Sequence, residues 1–439
     1  MTVRTLTAPV ALLAVFAALL ATMYLGYAAN TERNLHDFPV ALVDQDLGDV
    51  IDGAPADFGA EITDALRRGI PADKVDLRVV GIAEARAQLR TGQVYGAIVI
   101  PSDFTKRLVI LGTGAVVPGA IERPVVTVHT NPRVGPYTTG IMQRIADRAL
   151  TQVSASVGAR LTERVDATLA AGAPAGTVAG DQVSGAARLL IADPIRVVQA
   201  PYRPLSDGAG QGLVAFFYTL ILLLAGFTGA MIINTLIDAA LGFTPAEYGP
   251  WFVHPPDSGL SRFQTLLVKW GVITVAAPLL SAIFLGVARL IGVPLPGALL
   301  LWLYGTLAIV AVGVTALSVL ATFGTAGLMV NLVLFVVLGL PSSAATVPLE
   351  AVPGYIAVLA EFEPMHQIYL AVRAILFFDG HADAGLAAGL RMTAVGLAIG
   401  LVLGAVATSV YDRVGLRRSA SGRESVSEPA AEKVAVAAG

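Results

Sequence analysis

The stretch FPVALVDQDLG, residues 38–48, begins as an apolar, β-branched run and ends in two aspartates and a glycine. Such a run predicts a buried strand. Its end, with Asp44, Asp46 and Gly48, is compatible with a calcium loop, a catalytic carboxylate pair or a turn that closes the strand. A calcium loop starting at Asp44 needs a bidentate Glu at position 12, where this sequence has Pro55, and no histidine or nucleophile lies close by. We therefore interpret the aspartates and the glycine as a structural turn.

The composition decides the environment of this strand. The chain has 439 residues, of which 55 % are hydrophobic and 14 % are charged, whereas soluble domains have about 25 % charged residues. The mean hydropathy of +0.71 agrees with this difference, and both values predict an integral membrane protein embedded in a lipid bilayer. The net charge of −3 gives no indication of a nucleic-acid partner. The absence of cysteine excludes disulfides, thiolate metal sites and thiol catalysis.

Six stretches have the character of membrane spans, each of which needs about 20 apolar residues. The fifth is short and is followed by a proline-rich segment; the six are 8–29, 213–237, 271–291, 298–323, 328–340 and 395–411. The first is longer than the apolar core of a signal peptide, about 7–15 residues, so we expect an uncleaved anchor. Only GTAG, residues 324–327, separates the fourth from the fifth, which predicts a tight helical hairpin.

The orientation follows from the excess of Lys and Arg on the cytoplasmic side of membrane proteins. Six crossings place Arg4, Arg262, Lys269, Arg413, Arg417, Arg418 and Arg423 on one side and Arg289, Arg373 and Arg391 on the other. We therefore expect a multi-pass protein of the bacterial plasma membrane with both termini in the cytoplasm. In this arrangement residues 1–7 and a disordered tail, 413–439, lie inside, residues 30–210 lie outside, and residues 211–412 form a five-helix transmembrane domain.

Residues 30–210 carry the pattern of a small α/β layer structure. Strand-like runs at 38–45, 74–81 and 94–101 alternate with two short amphipathic helices, and RPVVTVHTN, residues 123–131, adds a fourth strand. From Tyr137 to about Leu169 apolar residues recur mostly four apart, which predicts one long helix with a winding apolar stripe. Packing on the α/β layer is favoured for this stripe over a dimer seam. The expected fold is a polytopic α-helical membrane protein with six transmembrane helices and an inserted extracytoplasmic α/β domain.

The motifs that would indicate an enzyme are missing from the sequence. The five histidines are scattered, no G-x-S-x-G elbow occurs, and no G-x-x-x-x-G-K-[ST] phosphate loop occurs. We predict no catalytic residue, cofactor or metal site. No ionisable side chain lies in the central part of any span, which argues against proton-coupled export, because proton relays need such groups. The polar residues Tyr218, Thr228, Asn234 and Asn331 lie inside spans, where helix–helix hydrogen bonding is their ordinary role.

The cytoplasmic loop at 238–270 is a candidate for partner docking. Its second half has apolar residues at helical spacing with basic residues among them. The candidate docking residues are Arg262, Phe263, Lys269 and Trp270. An interfacial helix and a helix that simply enters the membrane remain the alternatives.

The outer segment at 341–380 is broken by prolines and is apolar without being a regular span. Irregular backbone at membrane depth has to be buried in protein or line a cavity. We therefore expect a re-entrant element on the outer side, with Pro348, Pro353, Pro364 and Arg373 as its candidate residues.

The sequence resembles the YhgE/Pip family, within the superfamily of type 2 ABC exporter permeases. The segments that carry the resemblance are FPVALVDQDLG, ITDALRRG, GIAEARAQLRTGQVYGAIVIPSDFTK and VPLEAVPGY…EFEPMHQIYLAVRAIL. The resemblance covers residues 1–412 and implies a permease-like domain with a large α/β ectodomain after the first helix. It places Asp44, Asp46 and Gly48 at a family strand-end signature. The chain departs from it at Ser343-Ala344-Ala345, where the family often has Ser-Gly-Gly. It departs also in the seven residues before the first helix, too few for the amphipathic connecting helix typical of ATP-driven permeases.

Two functions fit these observations. The first is a permease-like subunit of an exporter for a hydrophobic or amphipathic substrate. It would act as a homodimer or a heterodimer with a paralogue, and an ATP-binding subunit would act in trans. The second is a non-transporting cell-surface or secretion-assembly protein, similar to a phage receptor, that binds through its ectodomain. The short N-terminus and Ala344-Ala345 favour the second function, and the re-entrant element favours the first.

Overall fold

The computed structural model describes residues 3–51, 54–114, 122–172, 185–253, 255–256 and 258–416. The tail from residue 417 onward, for which the sequence predicts disorder, lies outside the described residues. The chain folds into two compact units. The first, the sheet unit, comprises Met1–Phe216, Ala344–Val358 and Arg373–Gly385, and the second, the helical unit, comprises Phe217–Ser343, Leu359–Val372 and Leu386–Gly439.

Strands and helices alternate in the first half of the chain, as the pattern at residues 30–210 predicts, and most later elements are helices. The α-helices are α1 Val3–Ala28, α2 Phe58–Gly69, α3 Ile82–Thr91, α4 Phe104–Gly114, α5 Pro136–Gly172, α6 Gly185–Ala192, α7 Leu213–Ala240, α8 Arg262–Leu290, α9 Ala298–Phe323, α10 Ala326–Leu332, α11 Gly339–Ser342, α12 Gly354–Ala360, α13 Pro364–Phe377 and α14 Leu386–Arg413. The strands are β1 Phe38–Asp44, β2 Asp49–Ile51, β3 Ala54–Ala56, β4 Val75–Val79, β5 Gly96–Ile100, β6 Val125–Thr130, β7 Arg196–Pro201, β8 Ala246–Tyr248 and β9 Trp251–Val253.

The sheet unit is built on a five-stranded sheet with the order β4-β1-β5-β6-β7. Strand β1 pairs in parallel with β4 and with β5, whereas β6 runs antiparallel to β5. The four strands expected from the sequence are all present. The fifth, β7, pairs in parallel with β6 and is not among the strands expected from the sequence.

The core of the sheet unit lies around β1 and is covered by helices. Val40 and Leu42 of β1 are fully buried, and Ile62 of α2 is buried as well. Helix α5 buries residues spaced three or four apart along its length, among them Met142 and Val157, where it packs against α2, α4, α6 and the sheet. The prediction that the apolar stripe of the long helix packs on the α/β layer is therefore confirmed.

Two segments from late in the sequence complete the sheet unit. The Tyr95 hydroxyl donates a hydrogen bond to Glu350 Oε1 at 2.8 Å, and Arg133 Nη1 donates one to the Phe377 carbonyl at 2.7 Å. Residues 344–358 and 373–385 thus belong to the same unit as the strands.

Among the residues that the structure describes, five helices are long and apolar enough to span a membrane, so the chain has the character of a multi-pass membrane protein. They are Val10–Ala28, Gly210–Ala240, Arg262–Leu290, Ala298–Phe323 and Leu386–Arg413. The stretch expected as a further span forms a shorter apolar helical segment, Ala326–Ser342, interrupted by a π-helical turn at Val333–Val337. The expected tight connection before this segment is confirmed, because α9 ends at Phe323 with Gly324 as its C-cap.

Candidate functional site

An apolar cavity of about 210 Å³ lies within the helical unit. Helix α9, the π-helical turn, the start of α13 and α14 contribute its walls. Its lining side chains are apolar except for Thr315, Gln367 and Thr393, and none of them is charged. A cavity with this lining accommodates a hydrocarbon chain or another hydrophobic group, since apolar walls with a few polar groups are typical of small-molecule sites.

Small residues determine how the walls of this cavity meet. A Cβ atom added at Gly400 would approach the Thr315 side chain, so the absence of a side chain lets α14 pack closely on α9. Such close packing through small residues is common between membrane helices. Gly396 lines the cavity, and a Cβ atom added there meets no atom within 4 Å. The open volume therefore faces this glycine.

The start of α13 is fixed by a buried carboxylate. Glu363 Oε2 accepts hydrogen bonds from the backbone N–H groups of Met365 at 2.6 Å and His366 at 3.1 Å, as a capping residue does at a helix N-terminus. His366 Nδ1 lies 3.0 Å from the Ser343 carbonyl oxygen. Pro364, a candidate residue of the predicted re-entrant element, therefore lines the cavity at a rigid position.

A buried ion pair links α7 and α8. Lys269 Nζ lies 2.6 Å from Asp238 Oδ1, with side-chain exposures of 4 % and 8 %, and it also donates a hydrogen bond to Asn234 Oδ1 at 2.8 Å. Because Asn234 and Asp238 are four residues apart on α7, they share one face of that helix. The spacing of these two residues in the sequence is the signal that could have revealed the pair.

The prediction that Lys269 and Trp270 present a docking surface is wrong. Both side chains are buried. A lysine that is removed from water in an apolar helix needs a carboxylate partner, and Asp238 is the partner of Lys269. In the part of this loop that the structure describes, no separate interfacial helix precedes α8. The loop leads directly into α8, whose first turn is closed by a capping box between Ser261 and Gln264.

The other two candidate docking residues contact α14 and the residues that follow it. The backbone N–H groups of Arg262 and Phe263 donate to the Asp412 carboxylate at 2.9 and 3.0 Å. The Arg262 guanidinium lies 5.4 Å from the centre of the Tyr411 ring and donates to the Leu416 carbonyl. These contacts hold the start of α8 against the end of α14, and a docking role for Arg262 and Phe263 stays a prediction.

A second cavity, of about 440 Å³, borders the buried pair. Asn234 and Asp238 of α7 line it, together with residues that follow α7 and residues at the connection between α9 and α10. The carboxylate of Asp238 thus lies between the Lys269 ammonium and an open volume.

The exposed part of the loop between α7 and α8 is the hairpin of β8 and β9, which the sequence pattern did not suggest. Trp251 and Phe252 of β9 are 73 % and 64 % exposed. Large exposed apolar side chains that lie together in this way are typical of interfaces with lipid or with a partner.

The turn at Asp44, Asp46 and Gly48 is structural, as the sequence predicts. Asp44 Oδ1 accepts the Asp46 N–H at 3.0 Å, and Gly48 has a positive φ of 66°. Asp46 does more than close the turn, because its Oδ2 accepts the Gly59 N–H of α2 at 3.0 Å and its Oδ1 accepts the Thr105 N–H of α4 at 3.1 Å. The Thr105 hydroxyl also donates to this carboxylate, so Asp46 joins the end of β1 to two helix N-termini, where a negative charge is favourable.

The remaining candidates of the outer segment lie in the sheet unit. Pro348, Pro353 and Arg373 belong to Ala344–Val358 and Arg373–Gly385, and the Arg373 guanidinium lies 5.6 Å from the centre of the Phe378 ring. The predicted re-entrant element is therefore divided, since the part around Pro364 belongs to the helical unit. At its start, Ala344 has a positive φ of 58°, a conformation that favours glycine.

Among the described residues, no group of three His, Asp or Glu side chains could hold a metal ion. The model of one protein family, described as "Protein of unknown function (DUF3533)", matches residues 10–399. The chain belongs to the DUF3533 family. No curated protein and no solved structure matches the chain. The resemblance of this DUF3533 protein to YhgE/Pip proteins stays a prediction.

Proposed function

We propose that this DUF3533 protein is a permease-like membrane subunit of an exporter for a hydrophobic or amphipathic substrate. The proposal includes six membrane crossings, with Ala326–Ser342 as the short one, and residues 30–210 on the outer side of the bacterial plasma membrane. It also includes pairing with a second copy or a paralogue and an ATP-binding subunit in trans.

The observation that supports the proposal is the uncharged apolar cavity at Gly396. It lies among two long apolar helices and two irregular segments, the π-helical turn and the turn at Phe362 that leads into α13. Irregular backbone among membrane helices is tolerated where it is buried or lines a cavity. In transporters, substrate sites commonly lie where helices are interrupted.

The cavity can be filled without disturbing the backbone, which provides a direct test. The substitution Gly396→Leu introduces a side chain into open space at the cavity wall. Gly286→Leu is the matched control, because Gly286 also lies in a long apolar helix, has no atom within 4 Å of an added Cβ, and does not line the cavity.

The measurement is the efflux of two preloaded probes, Nile red and a phospholipid with an NBD fluorophore, from energised cells. Cells with the wild-type protein or Gly286→Leu are expected to lose the probes faster than cells without the protein, and cells with Gly396→Leu are not. Equal efflux by cells with Gly396→Leu and cells with Gly286→Leu would show that the substrate does not bind in this cavity. Efflux that is the same with and without the wild-type protein would contradict transport of such compounds.

The docking element for an ATP-binding subunit is, in this proposal, the hairpin of β8 and β9 rather than the start of α8. Its support is the exposure of Trp251 and Phe252 next to the burial of Lys269 and Trp270. Gentle purification of the full chain is expected to recover an ATP-binding subunit in stoichiometric amount. Phe252→Ser should abolish this recovery, whereas Phe323→Ser, which removes an exposed Phe at the end of α9, should not.

The assembly function remains the second candidate, and the burial of Lys269 and Trp270 favours it, because two of the four residues expected to meet an ATPase are inaccessible. In that case the purified chain would carry a cell-envelope or secretion component bound through residues 30–210. No ATP-binding subunit would be recovered, and neither the Phe252 nor the Gly396 substitution would change the recovery of this component.

A further inference from the structure

A cavity of about 320 Å³ opens in the sheet unit. Its lining residues lie between positions 31 and 152, so it shares none with the apolar cavity of the helical unit. The turn after α1, the C-terminal end of α2, the start of β4 and one side of α5 surround it. Part of its wall is apolar, with Ile70, Val75 and Ile141 among the lining residues. Its volume falls in the range of small-molecule sites, about 300–1,000 Å³.

The rest of the wall is basic. Arg144 and Arg148 are four residues apart on α5 and so share one face of the helix, and Lys74 lines the cavity just before β4. The one carboxylate in the lining is Glu32, whose Oε1 lies 3.3 Å from Arg144 Nε and whose Oε2 lies 3.8 Å from Arg148 Nη2. Three cations therefore face one carboxylate, and the lining has a net positive charge.

The position of Glu32 places this charge at the edge of the membrane. Helix α1, one of the five candidate spans, ends at Ala28, and Glu32 follows four residues later. The Thr31 hydroxyl lies 3.0 Å from the Tyr137 hydroxyl at the start of α5, which holds this turn against that helix. The polar headgroup region extends about 5–8 Å beyond the hydrocarbon core on each side of a bilayer. With α1 as a membrane span, Glu32 and the two arginines that it pairs with would lie near the depth of lipid phosphates.

We propose that this cavity binds the phosphate group of an anionic amphiphile. Arg144, Arg148 and Lys74 surround the phosphate, and the apolar side chains contact the first carbons of the attached chains. Arginine suits this role because its planar guanidinium donates two parallel hydrogen bonds to a phosphate. In the absence of the ligand, Glu32 forms ion pairs with both arginines. The site does not require that the helical unit transports anything, so it stands apart from the proposed function.

The full chain, purified in a neutral maltoside detergent, is titrated calorimetrically with three probes. Dihexanoyl phosphatidic acid has both the phosphate and the short chains, glycerol phosphate has only the phosphate, and dihexanoylglycerol has only the chains. The double variant Arg144→Gln, Arg148→Gln removes two partly exposed charges, and exposed ion pairs of this kind contribute only about 0–1 kcal/mol to stability. Arg160→Gln is the control, because Arg160 lies on the same helix, pairs with Glu61 and does not line the cavity.

Dihexanoyl phosphatidic acid is expected to bind the wild-type chain more tightly than the other two probes. The double variant should bind it at least about tenfold more weakly, because two charge-assisted contacts are lost, and Arg160→Gln should bind it as the wild type does. Glu32→Gln should bind more tightly, since the competing carboxylate is gone.

Three results would overturn the proposal. The first is equal weakening by the control and the double variant, which would mean a non-specific effect of charge. The second is equal affinity for glycerol phosphate, which would indicate a site for free phosphate. The third is weaker binding by Glu32→Gln, which would show that the carboxylate supports the ligand rather than competing with it.

Discussion

A substitution of Asp46 would remove several hydrogen bonds from the sheet unit at once. Its carboxylate accepts the Gly59 N–H, the Thr105 N–H and the Thr105 hydroxyl, and Thr105 is fully buried. A buried donor that loses its acceptor costs about 1–3 kcal/mol. Because Asp46 itself is half-buried and water can replace part of the loss, we expect Asp46→Ala to lower the free energy of opening around α2 and α4 by about 3 kcal/mol.

Hydrogen exchange followed by mass spectrometry measures this opening in the full chain. A loss of about 3 kcal/mol corresponds to amide exchange that is roughly 100-fold faster in the peptides that cover α2 and α4. Asp49→Ala is the control, since Asp49 is exposed and its carboxylate accepts only the neighbouring Val50 N–H in the described contacts. If Asp46→Ala exchanges no faster than Asp49→Ala, the carboxylate does not hold the two helices and the reasoning is refuted.

Gly59 tests the same junction from the opposite side. A Cβ atom added at Gly59 would overlap the Asp46 side chain and lie 2.6 Å from Asp44 Oδ1. Alanine is normally better than glycine within a helix by about 1 kcal/mol. Here Gly59→Ala should instead speed exchange in α2, whereas Gly69→Ala, in the last position of the same helix and with no atom within 4 Å, should not.

Three further predictions concern strain, charge and pH. Ala344→Gly should raise the free energy of local opening at the start of the outer segment by about 1 kcal/mol, because a left-handed conformation is unfavourable for alanine; hydrogen exchange of the peptide that contains residue 344 measures this. Lys269→Met should destabilise the helical unit by about 3–5 kcal/mol by leaving Asp238 buried without its cation, and adding Asp238→Leu should recover most of the loss. Thermal denaturation followed through the combined fluorescence of Trp251, Trp270 and Trp302, which all lie in the helical unit, measures both effects. Burial raises the pKa of Glu350 above its ordinary value of 4.5, so the folded unit binds a proton that the unfolded chain has released, and stability is lost as the pH rises from 4.5 through the folded pKa. Glu350→Gln should flatten that decline. A wild-type stability that instead increases over this range would contradict a raised pKa of Glu350.

Much of the sheet unit can be predicted from the sequence because its patterns are local. The apolar run at Phe38–Asp44, the alternation at Val75–Val79 and the stripe on α5 each depend on neighbours a few residues apart. Strand β7 was missed, because its residues are only partly buried and its pairing with β6 joins segments about 70 residues apart. A strand whose faces are both partly exposed has no clear period-2 pattern.

The site residues were predicted less well because their roles depend on contacts between distant segments. Lys269 looks like a basic residue at a membrane boundary until α7 supplies Asp238. Ala344 is a second case: the sequence shows only an alanine where the YhgE/Pip family, which the chain resembles, often has glycine, and the left-handed conformation of this alanine was not predicted.

The late segments of the sheet unit have a consequence for synthesis. Arg133 and its partner Phe377 are 244 residues apart, and α7, α8 and α9 lie between them in the sequence. At translation rates of about 5–20 residues per second, the ribosome needs roughly 12–50 s to cover this interval. Throughout that time the strands are present without the segments that complete their unit, while three long apolar helices are synthesised. The sheet unit therefore reaches its final form only after four of the five candidate spans of the described residues have been made.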